Sequence, residues 1–242
     1  MIKRLLIGSQ KEIIQTRNHS FNLDTVLLAK FLKLPTKIKN ILDVGTGNGA
    51  LLIYASEMSK AKLIGVEIQK ERYELAKKNI LLNHIEDRTT LIFGDYLNTT
   101  YKNLDCIITN PPFFKTTNEK HLNQDPLVSQ TRHELTLSLN DLIKTASKQL
   151  KYGGYFYMVH RPDRLAEIMK VLNEHRLIVK RLKFVHPYAY KKANHVLIQC
   201  IKDGNEGLIL EPPLFIYKDK HIYSQSYIDF IKGESHATNV VK

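Results

Sequence analysis

Apolar and polar residues alternate regularly along the chain from about residue 40. Short apolar runs with the length and β-branched content of buried strands are separated by longer segments with helical apolar spacing. Such alternation is typical of an α/β fold with a parallel sheet and right-handed crossovers. We predict strands at 41–44, 62–66, 90–93 and 104–109, helices at about 50–58 and 70–82, and a short turn or helix near 98–102.

A polar interruption follows these strands. Residues 114–134 have no apolar periodicity, and a loop of that length inside a compact domain is usually functional or disordered. After the interruption we predict a helix at about 138–150, a turn at 152–154, a strand at 155–160, a helix from 162 to about 174, and strands at 179–185 and 195–201. The loop between these last two strands, with Pro187, Tyr188 and Tyr190, is short enough to predict that they form an antiparallel hairpin.

The two ends of the chain do not follow this alternation. Residues 1–20 are polar and mixed, and we predict that Asp24 caps an apolar helix ended by Pro35. The tail from Gly207 is predicted to be extended, with frayed final residues. A length of 242 residues suits one large domain better than two. The predicted parts of this single domain are an N-terminal segment and helix (1–36), a main unit (37–203) and an extended tail (204–242).

Charge and cysteine content narrow the possible environment and partners. The 36 Lys and Arg residues exceed the 24 Asp and Glu residues, giving a formal charge of +12 that favours a polyanionic partner. A merely basic protein is the simpler alternative. Cys106 and Cys200 lie in apparent buried strands, which indicates core thiols and a reducing cytoplasm. The N-terminus does not resemble a signal peptide, and we expect no membrane segment.

A glycine-rich turn follows the first strand of the main unit. It reads Asp43-Val44-Gly45-Thr46-Gly47-Asn48-Gly49 and leads into a helix. Glycines suit such a turn because it is tight and lets the backbone approach a ligand closely. Its G-x-G-x-G spacing differs from that of the dinucleotide fingerprint, which disfavours a nicotinamide-dependent oxidoreductase.

Acidic residues end the next two predicted strands. Glu67 lies about twenty residues beyond the glycines, where a carboxylate can accept hydrogen bonds from both hydroxyls of an adenosine ribose. Asp95 follows the third strand at the same sheet edge. Each has a simpler alternative, a solvated Glu67 and an Asp95 that caps the next turn. Together with the glycine turn they favour a nucleoside pocket.

The fourth strand ends in Asn110-Pro111-Pro112-Phe113. Open α/β sheets bind their ligands at this end of the strands. Two prolines restrict the backbone, and the first also holds Asn110 extended. A rigid amide beside an aromatic ring suits a flat heterocycle, whereas the alternative is an ordinary strand-ending turn.

In order and spacing, these motifs resemble the S-adenosylmethionine-dependent methyltransferases that modify exocyclic amino or amide nitrogens. This resemblance implies a Rossmann-like class I fold, with a seven-stranded mixed sheet whose last strand is antiparallel and helices on both faces. It assigns the glycine turn to the methionine and adenosyl parts of the cofactor, Glu67 to the ribose and Asp95 to the adenine. The implied cofactor-binding residues are Asp43, Gly45, Gly47, Asn48, Glu67, Asp95 and Asn110.

Further segments resemble the bacterial valine-tRNA adenine-N6 methyltransferase group over nearly the whole chain. They are residues 21–29, 132–134, 159–164, 184–187 and 207–214. The resemblance implies methylation of an adenine in tRNA-Val next to the anticodon, at position 37, and a basic protein fits such a substrate. A base in a loop also enters a pocket more easily than one in a duplex.

The chemistry predicted at the target nitrogen uses three residues. The Asn110 side-chain oxygen and the Pro111 carbonyl each accept one N–H bond, which aims the nitrogen lone pair at the methyl group, while Phe113 stacks on the base. Candidate RNA contacts are Phe114, Lys115, Arg132, Arg161 and Lys191, and a wider basic set adds Arg164, Lys180, Arg181, Lys183 and Lys192. We find no metal-ligand spacing.

Other functions share parts of this pattern. The same Asn-Pro-Pro-aromatic motif occurs in guanine-N2 methyltransferases of ribosomal RNA and in glutamine-N5 methyltransferases of release factors. A non-catalytic RNA-binding protein with this fold is a third alternative, which the intact Asp43, Glu67 and Asn110 disfavour. The oligomeric state is left open.

Overall fold

The computed structural model describes residues 2–16, 22–111 and 137–233. Within them a large mixed sheet is flanked by helices on both faces. The strands are β1 (Ile2–Leu5), β2 (Glu12–Gln15), β3 (Asn40–Val44), β4 (Lys62–Glu67), β5 (Thr89–Phe93), β6 (Leu104–Thr109), β7 (Leu150–His160), β8 (Leu177–His186), β9 (His195–Lys202), β10 (Ile209–Leu210), β11 (Leu214–Phe215), β12 (Tyr217–Asp219) and β13 (Ile222–Tyr223). The α-helices are α1 (Leu23–Phe31), α2 (Ala50–Met58), α3 (Lys70–Leu82), α4 (Leu139–Gln149), α5 (Leu165–Glu174) and α6 (Gln225–Lys232). Short 3-10 helices span Glu86–Arg88, Tyr96–Asn98 and Pro162–Arg164.

The seven predicted strands are neighbours in the order β8-β9-β7-β6-β3-β4-β5. β9 is antiparallel to both β7 and β8, while β3, β4, β5, β6 and β7 pair in parallel. The predicted α/β fold, with its last long strand antiparallel, is therefore confirmed. Two short strands, β10 and β11, extend the sheet beside β8 in the tail, where we predicted only extended chain.

Each face of the sheet has its own apolar core. Ile41 and Ile108 face α1 and α2, whereas Leu42 and Ile107 face α4 and α5. Because the central strands are covered on both faces, they are mostly apolar rather than alternating, with Asp43 and Asp105 as the acidic exceptions in β3 and β6. Cys106 and Cys200 are buried free thiols, as predicted.

The N-terminal segment contains a β-hairpin that the sequence pattern did not predict. β1 and β2 pair antiparallel, and β2 is held on α3 by two asparagine side chains. Asn79 Oδ1 accepts from Ile14 N at 2.7 Å and Asn79 Nδ2 donates to Ile14 O at 2.9 Å. Asn83 makes the equivalent pair with Glu12, at 3.2 and 2.8 Å. These amides substitute for a neighbouring strand, which local periodicity cannot reveal.

Several predicted boundaries and caps were wrong. Asn22, not Asp24, caps α1, because its Oδ1 accepts from Thr25 N at 3.2 Å. That helix ends at Phe31, before Pro35 is reached. The predicted turn at 152–154 is part of an irregular β7, with Gly153 at φ 70°. The short helix near 98–102 begins earlier, at Tyr96, and the tail contains helix α6, which we did not predict.

Candidate active site

The predicted site residues lie at one edge of the sheet. Val44 pairs with Thr109 on one side and Val66 on the other, and Glu67 pairs with Phe93. The glycine turn, Glu67, Asp95 and Asn110 therefore follow the carboxyl ends of four adjacent parallel strands.

The glycine turn presents bare backbone to open space. Gly45, Gly47 and Gly49 have φ of 70°, 59° and 84°, a region that residues with a Cβ rarely adopt. Gly45 N and Thr46 N both donate to Val66 O, at 2.9 and 3.0 Å. A Cβ added at Gly45 meets nothing within 4 Å, so a ligand could approach the backbone closely there.

Asp43 and Asn48 carry buried polar atoms that the described residues leave without a hydrogen bond. Asp43 Oδ2 accepts from Thr46 Oγ1 at 2.7 Å, but Oδ1 has no described partner, and neither has Asn48 Nδ2. Burial raises the pKa of Asp43 to about 7. The hydrogen bond from Thr46 lowers this pKa, whereas the nearby charge of Glu67 raises it further. Buried unpaired polar groups are rare and costly, so their position beside the open glycine turn fits a bound polar ligand.

Glu67 is buried, with 4% of its surface exposed, and is held by two backbone amides. Its Oε2 accepts from Gly47 N at 2.8 Å and its Oε1 accepts from Gln69 N at 2.8 Å. The solvated alternative for Glu67 is therefore wrong. A carboxylate can accept about four hydrogen bonds, so this anchoring leaves capacity for ribose hydroxyls.

Asp95 caps the 3-10 helix that follows it, as the simpler alternative predicted. Its Oδ1 accepts from Leu97 N at 2.9 Å. Capping and ligand binding are compatible because the cap uses one of the two carboxylate oxygens.

Helix α1 orients the amide of Asn110. Asn110 Nδ2 donates to Thr25 Oγ1 at 3.0 Å and approaches Asn22 Oδ1 at 3.4 Å. Thr25 Oγ1 in turn donates to Asn22 Oδ1 at 3.2 Å. With its NH₂ group committed to helix α1, Asn110 directs Oδ1 away from those partners, and Oδ1 is the atom predicted to accept from the target. Pro111 follows and is partly exposed.

The contacts that hold Asn110 continue along the same edge of the sheet to the start of β9. Asn22 Nδ2 donates to Asp24 Oδ2 at 2.8 Å, and Asp24 Oδ1 lies 2.5 Å from His195 Nε2. Sequence reasoning missed the roles of Asn22, Thr25 and His195. The only local signal was an N-cap pattern at 22–25, and we assigned that cap to Asp24.

The candidate RNA contacts separate into three groups. Arg161 and Lys191 are exposed, and each follows a strand end at this same edge of the sheet. Arg181 is 8% exposed and is paired with Glu211, which also binds Lys183, so these two cations are structural and our wider basic set was wrong to include them. Phe113, Phe114, Lys115 and Arg132 lie outside the described residues.

Comparison with known proteins agrees with this geometry. Residues 19–185 match the family described as Methyltransferase small domain. The chain belongs to this methyltransferase family. A relative from Porphyromonas gingivalis named tRNA1(Val) (adenine(37)-N6)-methyltransferase is 31% identical over 200 residues, which cover 78% of this chain and 77% of the relative. The resemblance inferred from the motifs is confirmed.

Solved structures show that this methyltransferase shares its fold with distant enzymes. A predicted O-methyltransferase from Agrobacterium tumefaciens has a TM-score of 0.67 at 22% identity, covering 88% of this chain and 97% of the other. The geranyl diphosphate C-methyltransferase of Streptomyces coelicolor, solved with S-adenosyl-L-homocysteine, has a TM-score of 0.55 at 13% identity, covering 74% of this chain and 76% of the other. These likenesses confirm the class I methyltransferase fold.

Residues 2–16, 22–111 and 137–233 include no helix long and apolar enough to cross a membrane. They also include no group of three or more His, Cys, Asp or Glu side chains suited to hold a metal ion.

Proposed function

We propose that this protein uses S-adenosyl-L-methionine to methylate the exocyclic N6 of an adenine in tRNA, next to the anticodon (position 37) of tRNA-Val. The observation that carries the proposal is the oriented Asn110 amide at the sheet edge that also bears the glycine turn and Glu67. The names of the curated relatives favour tRNA and adenine. We propose that the protein acts in the cytoplasm.

The residues around the glycine turn fit the cofactor. The unpaired Oδ1 of Asp43 and Nδ2 of Asn48 suit the polar methionine end, and the bare backbone at Gly45 and Gly47 admits the adenosyl part. Glu67 would bind the ribose hydroxyls with its remaining lone pairs, and Asp95 the adenine. When bound, S-adenosyl-L-methionine supplies an electrophilic methyl group.

At the target nitrogen the protein supplies position and hydrogen-bond acceptors. An aromatic amino group is a weak nucleophile because its lone pair is delocalised into the ring. If Asn110 Oδ1 and the Pro111 carbonyl each accept one N–H bond, the nitrogen can pyramidalise and direct its lone pair at the methyl carbon. The same acceptors would stabilise positive charge that develops on nitrogen during transfer. The methyl group would pass from the cofactor sulfur to nitrogen, and one amino proton would then be lost to water.

Incubation of the protein with labelled cofactor and unmodified total RNA, followed by nucleoside mass spectrometry, tests the proposal. We expect N6-methyladenosine in tRNA-Val. N2-methylguanosine in ribosomal RNA would replace adenine by guanine as the target, and label found only in protein would refute the RNA substrate. The first alternative is kept because the Asn-Pro-Pro-aromatic motif presents the same acceptors to either base.

A further inference from the structure

Five tyrosine rings form a continuous series of stacked and tilted contacts beside the sheet, which we call the tyrosine ladder. Successive centroids lie 5.4, 5.4, 5.3 and 4.9 Å apart. In order of contact the rings are Tyr190, Tyr188, Tyr217, Tyr223 and Tyr227. Tyr227 is 5% exposed, whereas Tyr223 and Tyr190 are 52% and 77% exposed, so the ladder begins at a buried ring and reaches the surface at two rings.

The ladder lies at the same edge of the sheet as Asn110. Tyr188 and Tyr190 are in the loop between β8 and β9, which ends at His195. His195 contacts Asp24, which binds Asn22 beside Asn110. Between the ends of β6 and β8 there are three strand spacings, about 14 Å. A chain of nucleotides bound at Asn110 could therefore also reach the ladder.

The surroundings of the ladder are basic. Lys191 Nζ lies 5.7 Å from the centroid of the Tyr190 ring. The segments 187–192 and 217–223 hold four exposed lysines, Lys191, Lys192, Lys218 and Lys220, and a single acidic residue, Asp219. Exposed aromatic rings among cations match the two parts of a single-stranded nucleic acid, whose bases stack on rings and whose phosphates attract lysines.

We propose that the tyrosine ladder is a stacking platform for RNA nucleotides outside the methylation pocket, with Tyr190 as the ring that receives a base. This inference rests on the proposed RNA substrate and deepens it. Contiguous exposed aromatic surface commonly marks an interaction site, and a buried inner ring keeps the outer rings ordered before binding. The exposed lysines around the ladder favour RNA, which is a polyanion, over a protein surface with few acidic residues.

The test compares two tyrosines with equal exposure. Tyr190→Ala removes the outer ring of the ladder, and Tyr190→Phe retains its stacking face. The control is Tyr152→Ala, because Tyr152 is 78% exposed and lies near the start of β7, at the opposite edge of the sheet. Each variant is assayed for binding of an unmodified tRNA-Val transcript, for the KM and kcat of methylation, and for cofactor affinity.

We expect Tyr190→Ala to raise the Kd and KM for tRNA by about 5- to 160-fold, as the loss of one stacked base predicts. Its kcat and cofactor affinity should equal those of the parent, and Tyr190→Phe and Tyr152→Ala should both bind as the parent does. A second pair tests the cations: Lys191→Ala should reduce the salt dependence of tRNA binding by about one counterion. Lys62→Ala, at the opposite edge, should leave it unchanged.

The outcomes separate the ladder from the proposed function. If the enzyme methylates tRNA equally well with and without the Tyr190 ring, the proposed role of the ladder is wrong and the proposed function stands. If no RNA is methylated, the proposed function fails, and tRNA binding alone then tests the role of the ladder. Weaker tRNA binding by Tyr190→Ala than by the parent supports that role. Equal binding by the two proteins, or no binding by either, overturns it. A defect seen only with a protein substrate also overturns it.

Discussion

Replacement of Thr25 by valine tests whether helix α1 orients the Asn110 amide. Valine keeps the branched shape of threonine but removes the hydroxyl that accepts from Asn110 Nδ2 at 3.0 Å and donates to Asn22 Oδ1 at 3.2 Å. Among the described residues, the hydrogen bond that Asn110 Nδ2 then keeps is its 3.4 Å contact with Asn22 Oδ1. Because the hydrogen bonds described for the Thr25 hydroxyl reach Asn22 and Asn110 rather than the glycine turn, cofactor binding should not change.

The size of the effect follows from the bond that is lost. A hydrogen bond of this kind contributes about 0.5–1.5 kcal/mol, and loss of that much orientation in the transition state lowers kcat by about 2- to 12-fold. Stability should fall by about 1–3 kcal/mol, because both hydrogen bonds of the buried hydroxyl are lost. Helix propensity adds little, since it hardly differs between threonine and valine. Single-turnover methylation of tRNA-Val with saturating cofactor measures the rate of transfer directly.

Two results would contradict this reasoning. A parental single-turnover rate in Thr25→Val would show that the hydroxyl does not position Asn110. The matched control is Thr25→Ser, which retains the hydroxyl and should keep most of the rate. If serine lowers the rate as much as valine does, the effect comes from packing of the threonine methyl group rather than from the hydrogen bond.

Three further substitutions test the cofactor pocket and the target nitrogen. Asn110→Ala should abolish methyl transfer while cofactor binding survives, and equal turnover in variant and parent would exclude its assigned role. Glu67→Ala should weaken cofactor binding by about 10-fold or more in calorimetry, since hydrogen bonds to a charged group contribute about 1.5–3 kcal/mol; unchanged affinity would remove Glu67 from the ribose site. Burial raises the pKa of Asp43 from 3.8 to about 7, so the ligand-free protein should lose stability as the pH rises between these values. Asp43→Asn should remove this loss, at most about 4 kcal/mol at pH 8, and parallel pH profiles of unfolding for variant and parent would contradict the shift.

The sequence alone was sufficient for the features that depend on neighbouring residues. Short, mostly apolar runs such as 41–44 and 104–109 predicted buried strands, because period and composition are local properties. The turn at Gly45 and Gly47 was predictable for the same reason, since it needs positive φ at fixed positions. Glu67, Asp95 and Asn110 each lie at or just after the end of a predicted strand. Because those strands were predicted to be parallel, the three residues were expected at one edge of the sheet.

Only the tertiary structure decided which polar groups meet across long separations in the chain. Asp24 is a residue type typical of N-caps, yet it pairs with His195. Asn22 accepts the capping bond from Thr25 N and also reaches Asn110. Arg181 looked like a surface cation but is buried against Glu211. The tyrosine ladder joins residues of two separate segments, 188–190 and 217–227. Such pairings depend on where helices and tail dock on the sheet, and no periodicity in the sequence records that docking.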